Sequence, residues 1–193
     1  MAEKGDQRSD LELVAAVKAG DWAAFDVVYF RYRDWAHRLA WRFCGTGGDV
    51  DAQDVVQEVF VYLAGKLRAD GFELRAGMTT FLYPAVKHTA LALKRKRRRA
   101  GGAHGGPGGV DDMDLQASVP PAEPGTVRAE LAEVLTSLSD AHREVVLMRF
   151  VDDMALEEIA EALAIPLGTA KSRLHHALAA LREDSRLRRH FEP

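Results

Sequence analysis

The sequence has one cysteine, Cys44, in 193 residues. A single thiol cannot build an internal disulfide framework, and it suits a reducing compartment. No apolar run approaches the roughly 18 residues that a membrane span needs. The opening stretch, MAEKGDQRSD, is polar and lacks an apolar signal core. Alternating apolar and polar residues between hairpin turns are missing, which argues against a sheet. There is no Gly-rich phosphate loop and no nucleophile beside a base of the kind that catalysis requires. The expectation is a cytoplasmic, all-α protein that is not an enzyme, is not inserted in a membrane, and carries no cofactor or metal.

Net charge is also small, −3 overall. Its distribution is not even. Residues 1–99 hold 17 cations and 13 anions, residues 100–125 hold 4 anions and no cation, and residues 126–193 hold 9 cations and 12 anions. A mildly acidic chain therefore contains a local basic site, and locality is what counts for nucleic-acid binding. Its densest part is Lys94–Arg99, six cations in a row.

Residues 100–125 read AGGAHGGPGGVDDMDLQASVPPAEPG. Glycine and proline dominate and no helical period survives, which predicts a flexible linker. It separates an N-terminal helical domain over 10–99 from a C-terminal one over 126–185. The first helix is expected near Asp10, a candidate N-cap, and Gly20 supplies a stop. A long aromatic-rich helix follows over 20–43, then GTGG at 45–48, then a helix over 49–67. In the C-terminal block, breaks are expected near 138–140, 152–153 and 164–168.

On a helical wheel, Ala52, Val55, Val56, Val59 and Leu63 fall on one side of the third helix. Asp54, Gln57, Glu58 and Val61 fall on the other. That outer face is either a solvated surface or a protein contact whose carboxylates accept bonds from a partner's arginines. Asp49, Asp51, Asp54 and Glu58 lie close in sequence, but their spacing lacks the glycine and ligand positions of a calcium loop.

The segment TTFLYPAVKHTALALKRKRRR carries an apolar stripe of Leu82, Val86, Ala90 and Leu93. His88 and Arg95 lie opposite, flanked by Lys87, Lys94 and Arg98. A bare charge run is usually a solvated tail, yet here cations line a helix face before the run begins. Phe72, Phe81 and Tyr83 are candidate stacking surfaces for unpaired bases, or else core. Pro84 is tolerable if the helix starts at about 79–81 with Thr80 as its N-cap.

ALEEIAEALAIPLGTAKSRLHHALAALRED holds the most specific pattern. Leu156, Ile159, Ala160 and Leu163 give one short stripe. AIPLG breaks it, and Ala170, Leu174, Ala177, Leu178 and Leu181 give a second. Two amphipathic helices joined by a tight turn make a helix-turn-helix. On the second helix Thr169, Ser172 and His176 point away from the stripe, and Lys171 and Arg173 flank them. Small polar groups for base edges beside cations for phosphates are what a recognition helix needs.

In order and spacing, these segments resemble the extracytoplasmic-function (ECF) group of bacterial RNA polymerase sigma factors, over about 10–185. The resemblance implies core RNA polymerase and promoter DNA as partners, with an anti-sigma protein as a restraining one. It implies that Asp54, Gln57, Glu58 and Val61 dock on the polymerase. It implies that Phe81, Lys87, His88, Lys94, Arg95 and Arg98 open and hold the −10 strand. Thr169, Lys171, Ser172, Arg173 and His176 would read the −35 element. The group commonly has Trp, Asn and Asp where Phe81, His88 and Ala92 stand. It often has Gly where Ala164 stands, which places an alanine at a positive-φ turn. Ala155 stands where a Ser or Thr often caps, so Asp152 or Asp153 is expected to cap instead. The alternative is a helix-turn-helix regulator that acts without polymerase, which would leave the acidic and basic helices without a task.

Overall fold

The computed structural model describes residues 6–44, 48–100 and 126–184, without the side chains of 48–50, 98–100 and 127–129. The chain divides into two compact units, Met1–Gly109 and Val110–Pro193. Among the described residues there are eight helices and no strand. The linker expected over 100–125 lies outside the described residues, save Ala100 at the end of a helix.

The first unit is built from α1 (Asp10–Lys18), α2 (Ala23–Cys44), α3 (Gly48–Arg68) and α4 (Met78–Ala100). The N-cap of α1 is Ser9, one residue before the expected Asp10, and it forms a reciprocal capping box with Glu12. That frees the Asp10 carboxylate for tertiary work. Gly20, at φ +100°, ends the α1 segment as expected.

Leu13, Val14 and Val17 of α1 are buried, with Val28, Ala36, Leu39, Ala40 and Phe43 of α2. The predicted α3 stripe is buried at every position from Ala52 to Leu63, and Phe60 joins it. Leu82, Val86 and Ala90 of α4 are fully buried; Leu93 is only half-buried, and Leu91 packs more deeply in its place. Each large apolar side chain so buried contributes roughly 1.5–3 kcal/mol.

The start of α4 differs from expectation. Gly77 accepts the first helical bonds, from Thr80 and Phe81 N–H, so the helix begins at Met78. Thr80 is therefore inside the first turn rather than its cap, and its hydroxyl is buried without a partner. Pro84 lies within the helix. It offers no N–H to the Thr80 carbonyl, an interruption that typically costs about 3 kcal/mol.

The second unit contains α5 (Val127–Ser137), α6 (Asp140–Phe150), α7 (Leu156–Ala162) and α8 (Leu167–Glu183). Breaks fall close to the expected places, although Gly168 belongs to α8. Ile159, Ala160, Ala170 and Ala177 are buried, while Leu156, Leu163, Leu174, Leu178 and Leu181 are half-buried. Buried Arg143 donates to the carbonyls of Leu135, Thr136 and Leu138, each at 2.8 Å, and pairs with Asp140 at 3.2 Å. One guanidinium thus satisfies the end of α5 and fixes it to α6.

The turn before α8 contains Ala164 at φ 52°, the strained alanine anticipated from the sequence. Neither Asp152 nor Asp153 caps α7. The cap position is Ala155, whose N–H is taken at 2.8 Å by the Glu158 carboxylate. Glu158 supplies the half of a capping box that alanine cannot obstruct.

Candidate functional site

The α3 wheel translates directly into a surface. Asp54, Gln57 and Glu58 are exposed, and Val61 among them is 66 % exposed. Asp51 does not share their face. It is buried, and its carboxylate pairs with the Arg97 guanidinium near the end of α4. Arg97 belongs to the six-cation run, so the run is not wholly free for an outside anion. The Asp51 pairing also separates it from the exposed Asp54 and Glu58, which is poor geometry for a shared ion. A groove of about 620 Å³ runs between α2 and α3, with Phe25, Tyr29 and Phe60 along it and Gln57 and Val61 at its edge.

On α4, His88 and Arg95 are exposed, and Lys87 and Lys94 are half-exposed. Lys87 lies 5.7 Å from the Phe43 ring centroid, and Arg95 donates to the Leu91 carbonyl at 3.2 Å. The side chain of Arg98 lies outside the described residues. Phe81 is half-exposed, whereas Tyr83 is 2 % exposed and meets Phe43 edge-on. Of the three candidate stacking rings, Tyr83 is therefore core.

A ring that sequence reading passed over lies beside Phe81. Tyr62, on α3 next to Val61, is 48 % exposed and lies parallel to Phe81, with centroids 6.2 Å apart. Phe72 meets the edge of Phe81 at 5.3 Å, and the Lys66 ammonium lies 5.3 Å from the Tyr62 centroid. The only local signal was Tyr62 at one position and Lys66 four later, a one-turn spacing. The partner ring comes from another helix.

Helix α1 holds this cluster from beneath at two points. Asp10 accepts the Met78 N–H at 3.1 Å, satisfying a free donor at the start of α4. The same carboxylate takes Tyr32 hydroxyl at 2.6 Å and Arg31 at 3.1 Å. Burial, then the bond to Asp10, pushes the Tyr32 hydroxyl pKa well above its usual range. Lys18 donates to the Phe72 carbonyl at 2.7 Å, holding the loop that presents Phe72. A cleft of about 340 Å³ opens along that loop, between Lys66, Phe72 and Arg75.

In the second unit Lys171, Ser172 and His176 are exposed, and Thr169 and Arg173 are half-exposed. All five lie on α8. Ser172 donates to the Thr169 carbonyl at 3.0 Å. His142 of α6 approaches His176, with ring centroids 6.2 Å apart. Cys44, at the end of α2, is half-buried, and burial pushes its thiol up to about 11, with the Asp51 charge adding to the effect. A thiol so protonated is a poor redox sensor.

Residues 28–100 match sigma-70 region 2, and residues 134–183 match sigma-70 region 4. The chain belongs to the ECF group of RNA polymerase sigma factors. It is 27 % identical to the ECF RNA polymerase sigma factor SigW of Bacillus subtilis, over 90 % of this chain and 95 % of that one. It is 28 % identical to the ECF RNA polymerase sigma-E factor of Escherichia coli, over 91 % and 94 %. Among solved structures, CnrH in complex with the cytosolic domain of CnrY matches with a TM-score of 0.61 at 25 % identity, covering 90 % of this chain and 95 % of CnrH. RpoE of Bartonella quintana, crystallised with the anti-sigma factor NepR, shares the fold with a TM-score of 0.56 at 22 % identity, over 82 % and 94 %. This sigma factor thus pairs a region 2 unit with a region 4 unit. A regulator acting without polymerase is not favoured, since it would have no use for region 2. Among the described residues, no helix is long and apolar enough to cross a membrane.

Proposed function

We propose that this sigma factor docks on core RNA polymerase in the cytoplasm through Asp54, Gln57, Glu58 and Val61. Phe81, Lys87, His88, Lys94, Arg95 and Arg98 hold the opened −10 strand. Thr169, Lys171, Ser172, Arg173 and His176 read the −35 element in the major groove. The residues over 10–99 and 126–185 act as separate readers on one chain, and the segment between them sets their effective concentration for each other. No residue has a catalytic role in this scheme.

The observation that carries the docking face is Val61, two-thirds exposed beside two carboxylates and an amide. A valine left in water gains from burial against a partner, and the flanking acids select arginines on it. The cations of α4 support the DNA role. A protein opens a duplex by binding the unpaired strand better than the paired one, with rings on bases and cations on phosphates. CnrH is held by a second protein, and we assign this chain a restraining anti-sigma partner of that kind. Such a partner would cover the Asp54–Glu58 face.

Binding of the purified chain to core RNA polymerase tests the scheme, with Asp54→Arg/Glu58→Arg as the comparison. Tight wild-type binding that the double variant loses by at least about a hundredfold is expected from reversing two charge contacts. Equal binding by both removes the docking face. No binding by the folded wild type removes the function.

A further inference from the structure

The second unit holds a side-chain pair that −35 reading does not explain. His142, in the first turn of α6, is half-buried, and His176 of α8 is exposed. The two helices pack together, and the two ring centroids stand 6.2 Å apart with their planes 33° apart. Among the described residues, no hydrogen bond or ion pair reaches either imidazole. Each neutral ring therefore keeps a nitrogen lone pair that no protein donor occupies. His175 meets His176 edge-on at 5.7 Å. Successive helix residues project about 100° apart, so sequence spacing finds no site in that adjacent pair, and His142 arrives from another helix.

A group that joins these rings must accept lone pairs from two imidazoles. A zinc-bound imidazole nitrogen lies about 2.0–2.1 Å from its ion, which sets two rings sharing one ion about 5–6 Å apart by their centroids. The observed 6.2 Å needs only a small rotation of the exposed His176 to close. Imidazole suits zinc, copper and nickel, whereas calcium and magnesium call for oxygen ligands. No group of three or more His, Cys, Asp or Glu side chains among the described residues is placed to hold an ion. The pair is thus an open site with water in the remaining positions, which suits an exchangeable ion rather than a structural one. Of the charged groups close by in sequence, Arg143 is committed to the α5 carbonyls and Asp140, and Arg173 lies one turn before His176 on α8. A cation one turn away weakens the hold on an ion and favours exchange.

We propose that His142 and His176 together bind one divalent transition-metal ion, of the zinc, nickel or copper class, and that the ion and the −35 bases compete for His176. The competition rests on the sigma-factor reading of α8; the metal site does not. An ion held between α6 and α8 keeps the His176 imidazole against its own domain. Base edges then lose a reader, while the positive charge of the ion still favours phosphate. The consequence is a loss of base discrimination, not of affinity.

The test uses the full chain, first free and then in holoenzyme, with zinc as the probe. Titration of the EDTA-treated free chain, followed by its histidine side-chain nitrogen resonances, should shift His142 and His176 together and saturate them with one ion. His142→Ala and His142→Gln should each weaken zinc binding at least about tenfold, and His175→Ala should not. Zinc binding that is absent from the wild type, or that both His142 variants leave unchanged, overturns the site. In holoenzyme, selection from randomised duplexes should lose its preference at one −35 position by about tenfold when zinc is added. His142→Gln should keep that preference in zinc. An unchanged wild-type preference with zinc bound at the pair overturns the competition. If His176→Ala also leaves the preference unchanged, the −35 role of His176 has failed and the metal site stands.

Discussion

The surfaces proposed for the −10 and −35 elements are constructed in opposite ways. The −35 candidates all lie on α8, a single helix whose polar face follows from its sequence spacing. The −10 surface is assembled. Its cations and Phe81 come from α4, the Phe72 that meets Phe81 comes from a loop, and its support comes from Asp10 and Lys18 of α1. A one-helix site can be read from one periodicity. A composite site depends on which helices touch, and no local pattern states that.

The comparison predicts that changes far from DNA disturb the first surface while sparing the second. The largest effect is expected for stability in the second unit. Arg143→Ala strips three carbonyls of their shared donor, at about 3–5 kcal/mol. Thermal unfolding should show the region 4 unit melting early with the region 2 unit unmoved. A single shared shift would mean that the units do not melt independently.

Asp10→Ala comes next, at about 2–3 kcal/mol for three lost bonds to a half-buried carboxylate. It should loosen the start of α4 and reduce strand opening, measured by permanganate reactivity of melted thymines on supercoiled template. Core affinity should hold. Lys18→Met should lower opening with a stability change under about 1 kcal/mol, since Lys18 is exposed. If opening is normal in both, α1 is only packing and the contrast between the surfaces dissolves.

A smaller effect sharpens the −35 side. Ala164→Gly removes the left-handed strain of a non-glycine residue and should stabilise the second unit by about 1 kcal/mol. For a unit of that size this is a rise of roughly 4–8 °C in its melting temperature. The base preference of α8 should not change, which a selection from randomised duplexes would check. Smallest of all is the chemistry of Cys44. Alkylation by iodoacetamide should be slow at pH 8 and accelerate as the pH nears about 11, where the thiolate forms.

Much of this was legible in the sequence. Every predicted buried position of α3 is buried, every predicted outer residue is exposed, and the positive φ at Ala164 is the one that the resemblance implied. The errors share a cause. Thr80 looked like a cap because threonine favours caps, but Gly77 begins the helix and Thr80 is packed inside it. Asp10 looked like a cap for the same reason, and Ser9 took that role while Asp10 reached across to α4. Arg97 stood in the sequence only as one of six consecutive cations, and α3 brings Asp51 to it. Tyr83 stood open between stacking ring and core, and its burial against Phe43 decided for core. Local preference nominates residues for a role, and tertiary contact decides which nominee fills it.

The grip of α1 on the loop and on the first residue of α4 bears on exchange between relatives. Grafting α4 alone into another sigma factor would move the cations and leave behind the parts that aim them. The transplantable unit begins with Asp10 and Lys18, skips most of α2, and resumes at Phe72. In the proposed scheme promoter specificity is therefore inherited as a discontinuous block, and recombination within α1 should be as disruptive to it as recombination within α4 itself.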